Sequence, residues 1–114
     1  IDSVVDRLKN AGLLDDAAFS KAWVESRLRA NPRGRRMIEW ELRQKGVSAQ
    51  EIDAALEGVD DEASAMAAAE KRWPRLQSLP QRERKKKLMD FLARNGFDYA
   101  VIEETLRRIE SLND

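Results

Sequence analysis

One stretch of this chain returns later in related form. RGRRMIEWELRQKGVSAQEIDAAL, residues 33–56, lies without a gap over residues 83–106 at a fixed offset of 50. Arg35 falls on Lys85, Arg36 on Lys86, Ile38 on Leu88 and Leu42 on Leu92. Gly46 then falls on Gly96, Val47 on Phe97, Ile52 on Ile102 and Leu56 on Leu106. The apolar positions, the turn glycine and the cationic pair all keep their places. A repeat of this length cannot bury its apolar face alone, so the chain must stack helical units on one another.

The rest of the sequence agrees with an all-α reading. Alanine, leucine, glutamate and arginine dominate, and runs of Val, Ile and Thr are missing, which favours helix over strand. There is no cysteine and no histidine. Disulfides, thiolate chemistry, Cys/His zinc sites and histidine acid–base catalysis are therefore excluded. A cysteine-free chain fits a reducing cytoplasm, where we expect the protein to reside. No apolar run reaches the length of a membrane span. The chain begins at Ile1, already inside an amphipathic pattern, so we expect it to be part of a longer protein.

Taken in order, Val4, Val5 and Leu8 stand at helical spacing, and Gly12 stops that helix. Asp15 then caps a helix over about residues 16–29 that carries Phe19, Ala22, Trp23 and Ser26 on one stripe. Asn31-Pro32-Arg33-Gly34 breaks it. A helix over about 35–45 ends at Gly46, and Ser48 with Glu51 forms a capping box for the next. Asp60 or Asp61 starts an alanine-rich helix bearing Met66, Ala69 and Trp73. Pro74 ends it, and Arg75 to Pro80 reads as a loop. A helix over about 81–95 stops at Gly96, and Asp98 caps a last one carrying Val101, Ile102, Leu106 and Ile109. The expected organisation is a last helix of an incomplete first repeat (1–13), then three-helix repeats over 14–58 and 59–114, all in one continuous domain. Together these form an elongated, curved array of tandem three-helix repeats.

Zero net charge hides strong segregation. Residues 48–70 hold seven acids and no base, and residues 71–87 hold eight bases against Glu83 alone. Arg33, Arg35 and Arg36 crowd one helix N-terminus, and Lys85, Lys86 and Lys87 lie early in its counterpart. The helix dipole disfavours each such cation by about 0.3–1 kcal/mol. Accepting that cost at equivalent places points to an anionic partner, either phosphate or an acidic protein face. The plain alternative is a solvated surface, or pairing with the acidic stretch 51–62. Trp40 lies over Asp90 in the repeat register, outside the shared core pattern. It could stack on a base beside Arg36 and Arg43, although such a tryptophan more often packs between repeats. Asp15 and Asp16 could pass for a catalytic or metal-binding pair, but capping accounts for them. The five glycines are scattered singly, so no phosphate-cradling loop exists, and an enzyme reading has no residues to stand on.

The segments LLDDAAFSKAWVESR, PRGRRMIEWELRQKGV, EIDAAL and KLMDFLARNGFDYAVIEETL resemble successive blocks of the RecX family of bacterial recombination regulators, in order and spacing over nearly the whole chain. The resemblance implies an array of three-helix repeats that binds the RecA recombinase filament on single-stranded DNA and restrains its ATP hydrolysis and strand exchange. It implies no catalysis, no cofactor and no membrane, and we expect a monomer. On that reading Arg33, Arg35, Arg36, Arg43, Lys45, Lys85, Lys86 and Lys87 are the candidate contacts to protein or DNA, with Trp40 a stacking candidate. Asn95 stands where the earlier repeat has Lys45, so the later repeat has one charge fewer at that turn. A helix-turn-helix module gripping nucleic acid directly, or a protein-only scaffold, are the competing expectations.

Overall fold

The computed structural model describes residues 2–112 except Leu13 and Asn31, so the expectations at those two positions lie outside it. Seven α-helices run in order: α1 (Asp2–Asn10), α2 (Asp16–Ala30), α3 (Arg35–Gln44), α4 (Ala49–Leu56), α5 (Asp61–Arg72), α6 (Gln81–Arg94) and α7 (Tyr99–Leu112). No strand occurs among the described residues. None of these helices is long and apolar enough to cross a membrane. The molecule is elongated, 50 × 23 × 19 Å, as a stacked array requires.

The helix ends form where the side chains dictate. Asp15 Oδ1 accepts the Ala18 N–H at 2.8 Å, Ser48 Oγ accepts that of Glu51 at 3.2 Å, and Asp98 Oδ1 accepts that of Val101 at 3.0 Å. Asp60 caps α5 by accepting from both Glu62 and Ala63. Gly46 (φ +82°) and Gly96 (φ +90°) end α3 and α6 in the left-handed region, which an L side chain enters only with strain. The segment expected as a loop after Pro74 is in part ordered helix: Trp73–Leu76 forms a 3₁₀ turn. Pro74 sits in its first positions, where the missing N–H costs nothing. Proline there changes the helix type instead of abolishing the helix.

Each repeat has its own core. In the first, Phe19, Trp23, Val24, Ile38, Leu42, Val47, Ile52 and Leu56 close together, with Val5 of α1 joining them. In the second, Met66, Ala69, Trp73, Leu88, Leu92, Phe97, Ile102 and Ile109 do the same. Burying each Leu or Ile side chain contributes roughly 1.5–3 kcal/mol. Of the apolar residues expected to anchor α1, only Val5 is buried; Val4 and Leu8 are exposed. The structure extends the register back beyond α3 and α6, because Trp23 of α2 and Trp73 of the 3₁₀ turn are both core residues 50 positions apart. Their polar ends differ. Trp23 Nε1 donates to Glu41 at 3.2 Å, whereas Trp73 Nε1 is buried without a partner, since Phe91 occupies the register position of Glu41.

The junction between the repeats is thin and made largely of backbone. The Gly34 N–H donates to the Asn95 carbonyl at 2.8 Å. A Cβ on Gly34 would lie 2.2 Å from the Gly96 carbonyl oxygen, and one on Gly96 would lie 2.5 Å from Met37 Cβ. The start of α3 thus abuts the α6–α7 turn with no room for a side chain on either glycine. At the other end, Lys9 Nζ donates to the Lys45 carbonyl at 2.8 Å and Lys45 pairs with Asp6 at 3.0 Å, tying α1 to the α3–α4 turn.

Candidate functional site

The candidate residues fall into two groups once their partners are known. Arg35 is half-buried. Its Nη1 donates to the Leu56 carbonyl at 2.6 Å and the Val59 carbonyl at 3.2 Å, and its backbone N–H donates to Asp61 Oδ1 at 3.0 Å. A cation that is unfavourable at its own helix start thus satisfies carbonyls at the end of α4, where the dipole favours positive charge. The sequence argument that Arg35 does the helix no good is corrected accordingly: it serves a different helix. Lys85 makes the parallel reach in the next repeat, to Glu110 in the last turn of α7 at 3.3 Å. This register pair is a clamp between the second and third helices of each unit.

Arg33 and Lys45 are also engaged within the fold. Arg33 Nη1 pairs with Glu41 at 2.9 Å, and Lys45 lies over the Trp23 ring at 5.2 Å while pairing with Asp6. Of the basic starts, Arg35 alone among the described residues meets the stretch 51–62, its amide on the Asp61 carboxylate and its guanidinium on the Leu56 and Val59 carbonyls.

Asp61 takes its surroundings from this clamp. Burial pushes its carboxyl above the usual carboxylate range, Arg35 opposes the rise through its amide and its charge, and Asp98 and Asp60 add to it. The folded value is raised, so the folded state holds this proton more tightly than the unfolded chain does. That contribution to stability is present below the ordinary carboxylate value and is lost as pH rises through the raised one. Asp61→Asn keeps an oxygen for the Arg35 N–H and removes the titration. The variant should therefore gain stability relative to the wild type as pH rises through that window, and a denaturant series between about pH 3 and 7 would show it. A difference that stays constant over the series would refute the assignment.

The second group is exposed. Arg36, Lys86 and Lys87 are exposed, and their side chains make no hydrogen bond or ion pair among the described residues. Arg43 is exposed and meets only Glu39, one helical turn back, at 2.6 Å. Trp40 is 59% exposed, which overturns the expectation that it packs between repeats. Its place in the register explains this: position 90 is Asp, so neither repeat treats that position as core. Arg36, Met37, Glu39, Trp40 and Arg43 form one wall of an open groove of about 520 Å³, and Ala93 and Gly96 of the next repeat form the other. Arg36 and Arg43 are two helical turns apart with Trp40 between them, so one α3 face presents two guanidiniums around an indole. The sequence reading missed Glu39 and the small wall residues. The Glu39–Arg43 spacing was visible as an i,i+4 pair, but the Ala93–Gly96 wall depends on how the repeats stack.

Comparison with known proteins agrees with this architecture. Residues 15–56 match the second three-helix domain of RecX and residues 60–106 match the third. The chain is 41% identical over 109 residues to the regulatory protein RecX of Chlorobium phaeobacteroides, covering 96% of this chain and 72% of the relative. It is 35% identical to that of Thermobifida fusca over 113 residues, covering 93% of this chain and 61% of the relative. The crystal structure of RecX from Lactobacillus salivarius superposes with a TM-score of 0.71 over 96% of this chain and 73% of that one, at 20% identity, a likeness of fold. With its tandem three-helix repeats and this similarity over almost its full length, the chain belongs to the RecX family of regulatory proteins.

Proposed function

We propose that this RecX protein binds the RecA recombinase–single-stranded DNA filament and inhibits its ATP hydrolysis and strand exchange, so regulating recombination and DNA repair. The observation that carries the reading is the exposed Trp40 between Arg36 and Arg43 over the inter-repeat groove. An indole offers a sequence-tolerant stacking surface, and guanidiniums on either side suit the flanking phosphates. Lys86 and Lys87 extend the free cationic surface along the array. The exposed carboxylates of Asp53, Glu57, Asp60 and Glu62 disfavour a bare duplex and suit a protein surface carrying basic groups. An array 50 Å long can bridge neighbouring filament subunits and resist the movements that accompany ATP turnover. In this reading the protein acts as a cytoplasmic monomer without a cofactor, and Arg33, Arg35, Lys45 and Lys85 hold the presenting scaffold.

The test is binding to the filament, to bare single-stranded DNA and to recombinase alone over a salt series, with ATP hydrolysis measured in parallel. Trp40→Ala should weaken filament binding by roughly 5- to 150-fold, the range of one stacked base, without lowering the melting temperature. Arg36→Glu with Arg43→Glu should flatten the salt dependence and relieve inhibition. Equally tight binding to bare DNA would favour a direct nucleic-acid module instead. Binding to recombinase that ignores all three substitutions would favour a protein-only scaffold.

A further inference from the structure

The outer face of the last repeat carries a second groove, which shares only Lys86 with the cationic surface of the filament reading. Gln81, Arg82, Lys85, Lys86, Met89, Leu106 and Glu110 line an open groove of about 570 Å³ between α6 and α7. Its floor is Met89 and Leu106, both half-buried against the core. Its rim is cationic, with Arg82 and Lys86 exposed. One acid lies within it: Glu110 accepts from Gln81 Nε2 at 3.1 Å and pairs with Lys85 at 3.3 Å.

Away from this groove, the repeat register shows what stands in the last repeat where the earlier one has its glycine junction. In the earlier repeat, Gly34 and Met37 meet the following repeat, and the contact requires that position 34 have no side chain. Fifty residues on, those positions are Arg84 and Lys87. Arg84 donates from Nη2 to the Trp73 carbonyl at 2.8 Å and lies 3.8 Å over the Trp73 ring, so its position is filled from within the repeat. The glycine of the earlier junction is thus replaced by a cation packed on its own repeat's tryptophan, at a position outside the groove.

We propose that this groove docks an acidic peptide segment bearing one bulky apolar side chain. The apolar anchor would rest on Met89 and Leu106 while flanking carboxylates meet Arg82 and Lys86. Glu110 already holds Lys85 as an incoming carboxylate would, so it acts as an internal competitor. A nucleic acid fits less well, because the floor offers a thioether and an isobutyl group and no ring to stack on, with a carboxylate beside them.

The test needs neither recombinase nor DNA, so its failure leaves the filament reading standing. A fluorescein-labelled peptide of mixed aspartate and glutamate with one central phenylalanine is titrated with the full chain, and methyl NMR follows Met89 and Leu106. Binding should shift both methyl signals and weaken roughly tenfold for Arg82→Glu, and as much for a peptide with alanine at the centre. Glu110→Gln should tighten it severalfold by freeing Lys85, an effect that a merely structural role for Glu110 would not give. Equal affinity for the alanine peptide, stronger binding of oligothymidylate at the same methyls, or no binding would overturn the proposal. So would self-association without peptide that Arg82→Glu abolishes, which would assign the face to a second copy of the chain.

Discussion

Glu41→Ala should destabilise this protein by about 3–5 kcal/mol, the range for removing one partner of a buried ion pair. Glu41 is 8% exposed, and its carboxylate is held from three sides. Arg27 donates from Nε to Oε1 at 2.9 Å and from Nη2 to Oε2 at 2.7 Å, in a two-point pairing. Arg33 reaches Oε2 at 2.9 Å, and the Trp23 indole N–H reaches Oε1 at 3.2 Å. Removing the carboxylate leaves two guanidiniums, neither more than about a quarter exposed, facing each other across the space it filled. It also strands an indole N–H in the core. Glu41→Gln should cost less, because an amide oxygen still serves one donor, and Glu41→Ala should unfold at far lower urea. The opposite order, or a loss under 1 kcal/mol for the alanine variant, would mean that the cluster behaves as a surface salt bridge.

The same cluster marks where sequence reasoning stopped. The repeat register, the caps and the glycine stops were legible because they depend on residues within four positions of one another or on a fixed offset. Ile38, Leu42, Ile52 and Leu56 and their counterparts are buried or half-buried as their spacing requires. Glu41 was not legible as a core residue, since a glutamate beside Trp40 and Leu42 reads as a solvated position. Its register partner Phe91 was the available hint that position 41 faces inward. Arg35 was misjudged for a related reason. Helix-dipole reasoning considers one helix at a time, and its guanidinium answers carbonyls at Leu56 and Val59, more than twenty residues away in sequence. The free cations Arg36 and Lys86 stood among the candidate contacts together with the engaged ones, because composition cannot separate a cation with a partner from one without. The groove around Trp40 was beyond reach altogether: its far wall comes from the neighbouring repeat.

Gly34→Ala should separate the two repeats energetically. The new Cβ would stand 2.2 Å from the Gly96 carbonyl oxygen, 2.5 Å from its carbon and 2.9 Å from the Phe97 nitrogen, all backbone atoms that cannot rotate away. Relief requires the units to move apart, which breaks the Gly34 N–H to Asn95 bond and strains the nearby amide contact between Arg35 and Asp61. Overpacking of this kind costs about 1–3 kcal/mol, at times more. Here the cost falls on the coupling between units, since each repeat keeps an intact core of its own. Gly46→Ala is the control: at φ +82° it carries left-handed strain of about 1–2 kcal/mol but meets nothing within 4 Å. We expect Gly46→Ala to lower the stability of a single cooperative transition. Gly34→Ala should instead broaden unfolding or split it into two steps, and should widen the solution scattering profile relative to the wild type. If Gly34→Ala unfolds in one step, with no greater loss than Gly46→Ala, the glycine contact does not couple the repeats, and the Trp40 groove that spans them is not held rigid by it.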